Sequence, residues 1–203
     1  MQIAHSARMR PGPAKQFDPE QALVQARDLF WRRGYDGTGL SELEETLGIG
    51  RKSLYDTFGN KRALYLAALE QYGASVIAAI CAGLERPGPA FANVERVMLK
   101  LARHHGSGES LGCLLGVGLG QLERGDAQLS AVLERWLAQL EQAFEAALER
   151  AAAEGELRAG IAPRDGARQL VALTQGMALL GRVATGSAGS LGAARASLAG
   201  LRA

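Results

Sequence analysis

Gly48-Ile49-Gly50 constrains this chain more tightly than any other stretch. It separates two helix-compatible segments, Ser41 to Leu47 and Arg51 to Phe58. Isolated helices shorter than about 12–15 residues are marginal in water, so both segments must lean on neighbours. Two short helices joined by a Gly-containing turn make a helix-turn-helix. Ser41 followed by Glu44 has the spacing of a capping box, in which the Ser N-cap and the Glu satisfy each other's backbone donors. In the second segment Leu54 and Phe58 stand four apart on one face.

The rest of the chain reads as helix too. Aromatics are only 5% of the residues, and Ala, Leu, Glu, Gln and Arg recur where a sheet would need alternating β-branched residues. Asp18 and Pro19 are a good N-cap and first residue for a helix carrying Leu23, Ala26, Leu29 and Phe30 as far as Gly34. Asn60 opens a longer helix over residues 61–84, stopped by Pro87-Gly88-Pro89. Further helices are expected near 90–105, 110–123, 126–154 and 163–184, with a short terminal one after Gly186 to Gly189. The fold class is therefore all-α. The segment 126–154 places Leu129, Leu133, Trp136, Leu140, Phe144 and Leu148 on one broad face over about 40 Å, more than a small domain usually needs. Paired with the Leu-, Ala- and Gly-rich segment 163–184, it is expected to form a four-helix bundle across a two-fold axis.

Several function classes find no support. Cys81 and Cys113 lie far apart with no C-x-x-C partner, so neither a disulfide framework nor a zinc site is suggested, and a reducing cytoplasm is the expected location. Arg8, Arg10 and Lys15 are followed by no apolar h-region, and no run approaches 18 uninterrupted apolar residues, so neither export nor membrane spanning is expected. No H-E-x-x-H, nucleophile elbow or paired catalytic carboxylates can be picked out, and Gly116-Val117-Gly118-Leu119-Gly120 lacks both G-x-G-x-x-G spacing and a G-K-[ST]. We expect no enzyme activity, no cofactor and no metal, and read those glycines as allowing close packing or leaving cavity space. His104 and His105 diverge by about 100° on a helix and cannot chelate; they are expected at a surface or a helix end. Cys113 is expected to be a neutral core cysteine, since a reactive thiol would need cations such as Arg103 or His104 beside it. Trp136 and Phe144 are expected to pack and not to meet a ligand.

From Gly34 to Leu64 the chain resembles the DNA-binding signature of the TetR/AcrR family of bacterial transcriptional regulators. Gly34-Tyr35, Thr38, Leu43, Gly48-Ile49, Leu54-Tyr55, Phe58, Lys61 and Leu64 match its pattern in register. Gly112-Cys113-Leu114 and Gly155-Glu156-Leu157-Arg158 are similar to stretches in many family members. Three residues depart from the pattern: Glu44 stands in place of a small residue, Gly50 in place of Ser, and Lys52 in place of Gly or another small residue. Gly50 removes a hydroxyl that would cap the second helix; Lys52 adds a positive charge near where that hydroxyl would be.

The resemblance implies a flexible basic arm over residues 1–16, a helix-turn-helix domain over 17–60, and a helical ligand-binding and dimerisation domain over 61–203. It implies a homodimer on pseudo-palindromic operator DNA, released by a small-molecule effector. A recognition helix presents its N-terminal residues to the major groove, so Arg51, Lys52 and Ser53 stand where donors to base edges or phosphates belong. Thr38, Tyr55 and Lys61 match family positions that grip phosphate. Arg8 and Arg10 fit either a minor-groove arm or a solvated tail. Two other readings stay open: a constitutive DNA-binding regulator without an effector, and an all-helical carrier or enzyme that kept a helix-turn-helix for structural reasons.

Overall fold

The structure, a computed structural model, describes residues 17–108, 110–183 and 186–203. The expected basic arm, with Arg8 and Arg10, lies outside the described residues. Nine α-helices follow one another among them: α1 (Pro19–Arg33), α2 (Leu40–Leu47), α3 (Arg51–Phe58), α4 (Lys61–Leu84), α5 (Ala90–His105), α6 (Leu114–Gly120), α7 (Ala127–Ala153), α8 (Pro163–Leu180) and α9 (Ala188–Leu201). The β pairing among the described residues is an isolated bridge between Leu157 and Arg202, which ties the chain's last residues to the α7–α8 turn.

Local side-chain caps explain three of the nine helix starts described. The Asp18 carboxylate accepts from the Glu20 N–H at 2.9 Å, Asn60 Oδ1 from the Ala63 N–H at 2.8 Å, and Asp126 Oδ1 from the Leu129 N–H at 3.1 Å. The capping box at Ser41 does not form. Gly39 is the N-cap of α2 and Leu40 its first residue, so Ser41 already lies inside the first turn, and Glu44 bonds forward to Arg51. Helix α5 takes its cap from a distance: Glu154 Oε2 accepts from the Ala90 N–H at 2.7 Å and Glu156 Oε2 from the Phe91 N–H at 3.0 Å. Carboxylates at a helix N-terminus also meet the positive end of its dipole.

Two hydrophobic cores share α4 as a spine. The first gathers Phe30, Leu43 and Leu54 from the first three helices, Ile49 from the turn between α2 and α3, Leu64, Tyr65 and Leu69 from α4, and Leu114, Leu129 and Leu133 from α6 and α7. The second packs the far half of α4 (Ile77, Ile80, Leu84) with Phe91, Met98, Phe144, Leu148, Leu170 and Leu198. Each fully buried Phe in these cores contributes about 1.5–3 kcal/mol. The expected domain boundary at residue 60 coincides with the start of α4, but the core beneath the helix-turn-helix runs on across it. By length and composition α4 could cross a bilayer; here its apolar residues are taken up by both cores.

The long helix α7 differs from expectation in how it spends its apolar face. Leu129, Leu133, Leu140, Phe144 and Leu148 are buried within the chain, while Glu134, Arg135, Gln142, Glu149 and Arg150 face outward. The helices of one protomer already need that stripe. The most exposed large apolar residues sit instead at and just past the end of α8: Leu179 and Leu180 at 67% exposure and Val183 at 82%.

His105 closes α5, at a helix end as one expectation had it, but it is buried and not at a surface. The cause is close backbone packing at the end of α5, where a Cβ on Gly181 would lie 2.1 Å from the His105 carbonyl oxygen. Only a glycine at position 181 lets α8 approach so near. Phe144 is core as expected, and Trp136 is partly buried, its indole N–H donating to Glu70 Oε2 at 2.9 Å.

Candidate nucleic-acid interface

Gly48 closes α2 in the left-handed conformation, φ 63°, which a side chain would resist. That turn drops Ile49 into the core and leaves Gly50 as the N-cap of α3. Leu54, fully buried, is the peg that fixes α3 on the core. Arg51, Lys52, Ser53 and Tyr55 are consequently exposed on a helix that cannot turn away. No side chain caps α3, so its first backbone N–H groups remain available together with the positive end of the helix dipole.

Both cations of α3 are held by carboxylates of the same chain. Arg51 Nε lies 2.6 Å from Glu44 Oε1, and Lys52 Nζ lies 2.6 Å from Asp56 Oδ2. The hydrogen bond to Glu44 raises the Arg51 pKa above its ordinary value, and the bond to Asp56 does the same for Lys52. Exposed pairs of this kind gain little in water and are screened by salt, so these cations can exchange their partners for an incoming anion.

Behind α3 the start of α4 is braced twice. Lys61 Nζ sits 4.3 Å from the centroid of the Tyr35 ring. Arg62 spans from that ring to an ion pair with Asp126 at the head of α7. The Leu129 N–H, with Arg62 assisting, holds the Asp126 carboxyl below the usual carboxylate range. Tyr35 is itself pinned through its backbone, its N–H donating to Gln121 Oε1 at 3.0 Å. The Tyr65 hydroxyl donates to the same oxygen at 3.3 Å, and burial raises its pKa to about 12.

Of the residues expected at DNA, the structure therefore exposes Arg51, Lys52, Ser53 and Tyr55 together on α3 and sets Lys61, half-buried, at the next helix start. Thr38 is elsewhere. It is fully buried, with its hydroxyl donating to the Gly34 carbonyl at 2.7 Å, so it shapes the α1–α2 turn. Sequence reasoning missed Gln121 and Asp126, which lie 86 and 64 residues from the groups they hold and carry no local signal. Among the described residues no group of three or more His, Cys, Asp or Glu side chains could hold a metal ion.

Comparisons with known proteins converge on one family. The family model described as "Bacterial regulatory proteins, tetR family" matches residues 22–68. The HTH-type transcriptional regulator YezE of Bacillus subtilis is 36% identical over 148 residues, covering 72% of this chain and 76% of the relative. The HTH-type transcriptional repressor BdcR of Escherichia coli is 31% identical over 110 residues, covering 54% of this chain and 56% of its own. Among solved structures, the TetR family transcriptional regulator CifR, a cysteine mutant on 26-bp double-stranded operator DNA, superposes with a TM-score of 0.83 at 24% identity over 94% of this chain and 100% of that one. The chain belongs to the TetR family of helix-turn-helix transcriptional regulators.

Proposed function

We propose that this protein is a cytoplasmic repressor that binds a pseudo-palindromic operator as a homodimer and is released by a small-molecule effector. The observation that carries the DNA reading is the uncapped N-terminus of α3, with Arg51, Lys52 and Ser53 exposed around it and Leu54 fixing the helix to the core. This is the end of a recognition helix that enters the major groove. Arg51 is matched to a base edge, Lys52 and Ser53 to bases or phosphates, and Tyr55 and Lys61 to the backbone of the DNA. Thr38 is left out of the contact set. CifR's complex with operator DNA and BdcR's name as a repressor support the same assignment.

The homodimer forms through the segments 126–154 and 163–184, with the apolar contact centred on the end of α8 and α9 packed beside it. Leu179 and Leu180 at the end of α8 and Val183 just past it are exposed, and α9 presents Gly189, Gly192, Ala193 and Ala196, small residues that permit close helix approach. Leu179→Glu with Leu180→Glu should convert the dimer to monomers in sedimentation at micromolar concentration while the helical circular dichroism is kept. A dimer that survives this double change would move the interface elsewhere.

The test of the function is titration of the purified protein against DNA fragments flanking its own gene at two salt concentrations. One fragment should bind selectively, and its affinity should fall steeply as salt rises, because each phosphate contact releases a counterion. Weak binding of every fragment alike would overturn the reading. Glu44→Gln adds a check on the ion pairs described above. Freed of its carboxylate, Arg51 should bind DNA several-fold more tightly at low salt. Unchanged affinity would mean that Arg51 does not face the DNA.

A further inference from the structure

A cavity of about 570 Å³ opens between the end of α1, α6 and the end of α8. That volume falls in the range of small-molecule sites. Its walls are mostly apolar, with Val117, Leu119, Ala178 and Leu179 beside the backbone of Gly116 and Gly176. Nothing lies within 4 Å of where a Gly176 Cβ would stand, so this wall faces open space.

The polar groups around the cavity have one sign. Arg33 and Arg182 line it and no carboxylate does. Arg33 is paired with Glu42 at 3.0 Å, whereas Arg182 has no ion-pair partner among the described residues. Gln175 also lines the cavity, and its Oε1 is buried without a hydrogen-bond partner. A buried amide oxygen left unbonded is destabilising, and a donor entering the cavity would relieve it.

The floor of the cavity is the clamp described above. Gln121 and Gly34 both line it, and the Gln121 amide is pressed so close to Gly34 that a Cβ there would lie 2.5 Å from Nε2. Gln121 Oε1 is the acceptor for the Tyr35 N–H, and the Tyr35 ring lies under Lys61. An occupant that displaced Gln121 would loosen the join between the α6 end and the helix-turn-helix.

We propose that this cavity binds a small amphipathic anion: an apolar body against Val117 and Leu179, an acidic group on Arg182, and an N–H or O–H donated to Gln175 Oε1. Occupancy shifts the Gln121 clamp and lowers DNA affinity, since an effector acts only through unequal affinity for the two conformers. The second half of this proposal rests on the DNA-binding reading; the first half does not.

Anilinonaphthalene sulfonate has the required apolar rings, N–H and anionic group, and its fluorescence reports binding to the full-length protein with no DNA present. Binding should saturate, weaken about tenfold in Arg182→Gln, as loss of a charge-assisted contact requires, and vanish in Gly176→Trp, which fills the cavity. The neutral N-phenylnaphthylamine should bind the parent protein and Arg182→Gln equally. Dye binding unchanged by both substitutions would place the dye on other apolar surface, such as Leu122 or Tyr55, and overturn the site. Saturating dye should weaken binding to the flanking fragment several-fold in the parent protein and leave Gly176→Trp unaffected; an equal response of the two would overturn the coupling through Gln121. If no fragment binds selectively, the regulatory reading fails while the fluorescence result still stands.

Discussion

Replacing Arg51 and Lys52 together by Ala is expected to cost about 100-fold or more in affinity for the operator, with the fold unchanged. A dimer repeats each contact in both half-sites, so a single lost base contact counts twice. The slope of affinity against salt should also become shallower, by about 0.9 for each phosphate contact removed. Both side chains are exposed and bonded only to Glu44 and Asp56, so the thermal midpoint should barely move. Fluorescence anisotropy on the flanking fragment and a melting curve check the two halves of this expectation. Operator affinity within a factor of about two of the parent protein would remove α3 from the interface.

Acid is expected to destabilise the protein through His105. Burial, with neighbouring His104 adding to it, lowers the His105 pKa from 6.5 to about 4. The unfolded chain therefore takes up this proton near pH 6.5 and the folded protein only near pH 4, so the unfolded state binds more protons across that window. Stability is full above pH 6.5 and falls as the pH drops through the interval, by about 3 kcal/mol at its lower end. Urea unfolding at pH 7 and at pH 4 measures the loss, and His105→Gln should remove most of the drop between the two pH values that the parent shows. Parallel curves for the two proteins would mean that His105 is protonated in the fold. The loss concerns the join of α5 to α8, where Gly181 meets the His105 carbonyl, and so touches the body of the protein before the helix-turn-helix.

The helix boundaries set by local chemistry were legible in the sequence. Asp18 and Asn60 cap the helices they appeared to cap, and Gly48-Ile49-Gly50 breaks the chain where two short helices meet. Ser41 misled because a capping box is a spacing, and the N-cap of α2 lies two residues earlier, at Gly39, a glycine that spacing does not weigh. The predicted helices at 110–123 and 163–184 are shorter in the structure, ending at Gly120 and Leu180. Periodicity also could not say what α7 packs against. A helix whose stripe is buried inside its own protomer has the same pattern as one that faces a second copy.

Within the candidate site the same division holds. The exposed residues of α3 follow from the turn before them and the Leu54 peg, both local. Thr38 shows the limit of a matched position, because a threonine at a turn can serve a phosphate or its own backbone, and only packing decides. Gln121, Asp126 and the cavity beside them arise from α6 and α7 crossing the end of α1 and the start of α4. Such long-range contacts leave no mark on any single stretch of sequence.

The most direct test of α3 as the reader of the operator is to measure Arg51→Ala and the parent protein against every single-base change across the bound fragment. If Arg51 reads a base edge, the variant loses discrimination at one base pair in each half-site, the two positions being related by the operator's symmetry, and keeps it elsewhere. If the variant binds all these sequences more weakly by the same factor, Arg51 meets only phosphate. If it discriminates as the parent does with unaltered affinity, α3 does not lie in the groove.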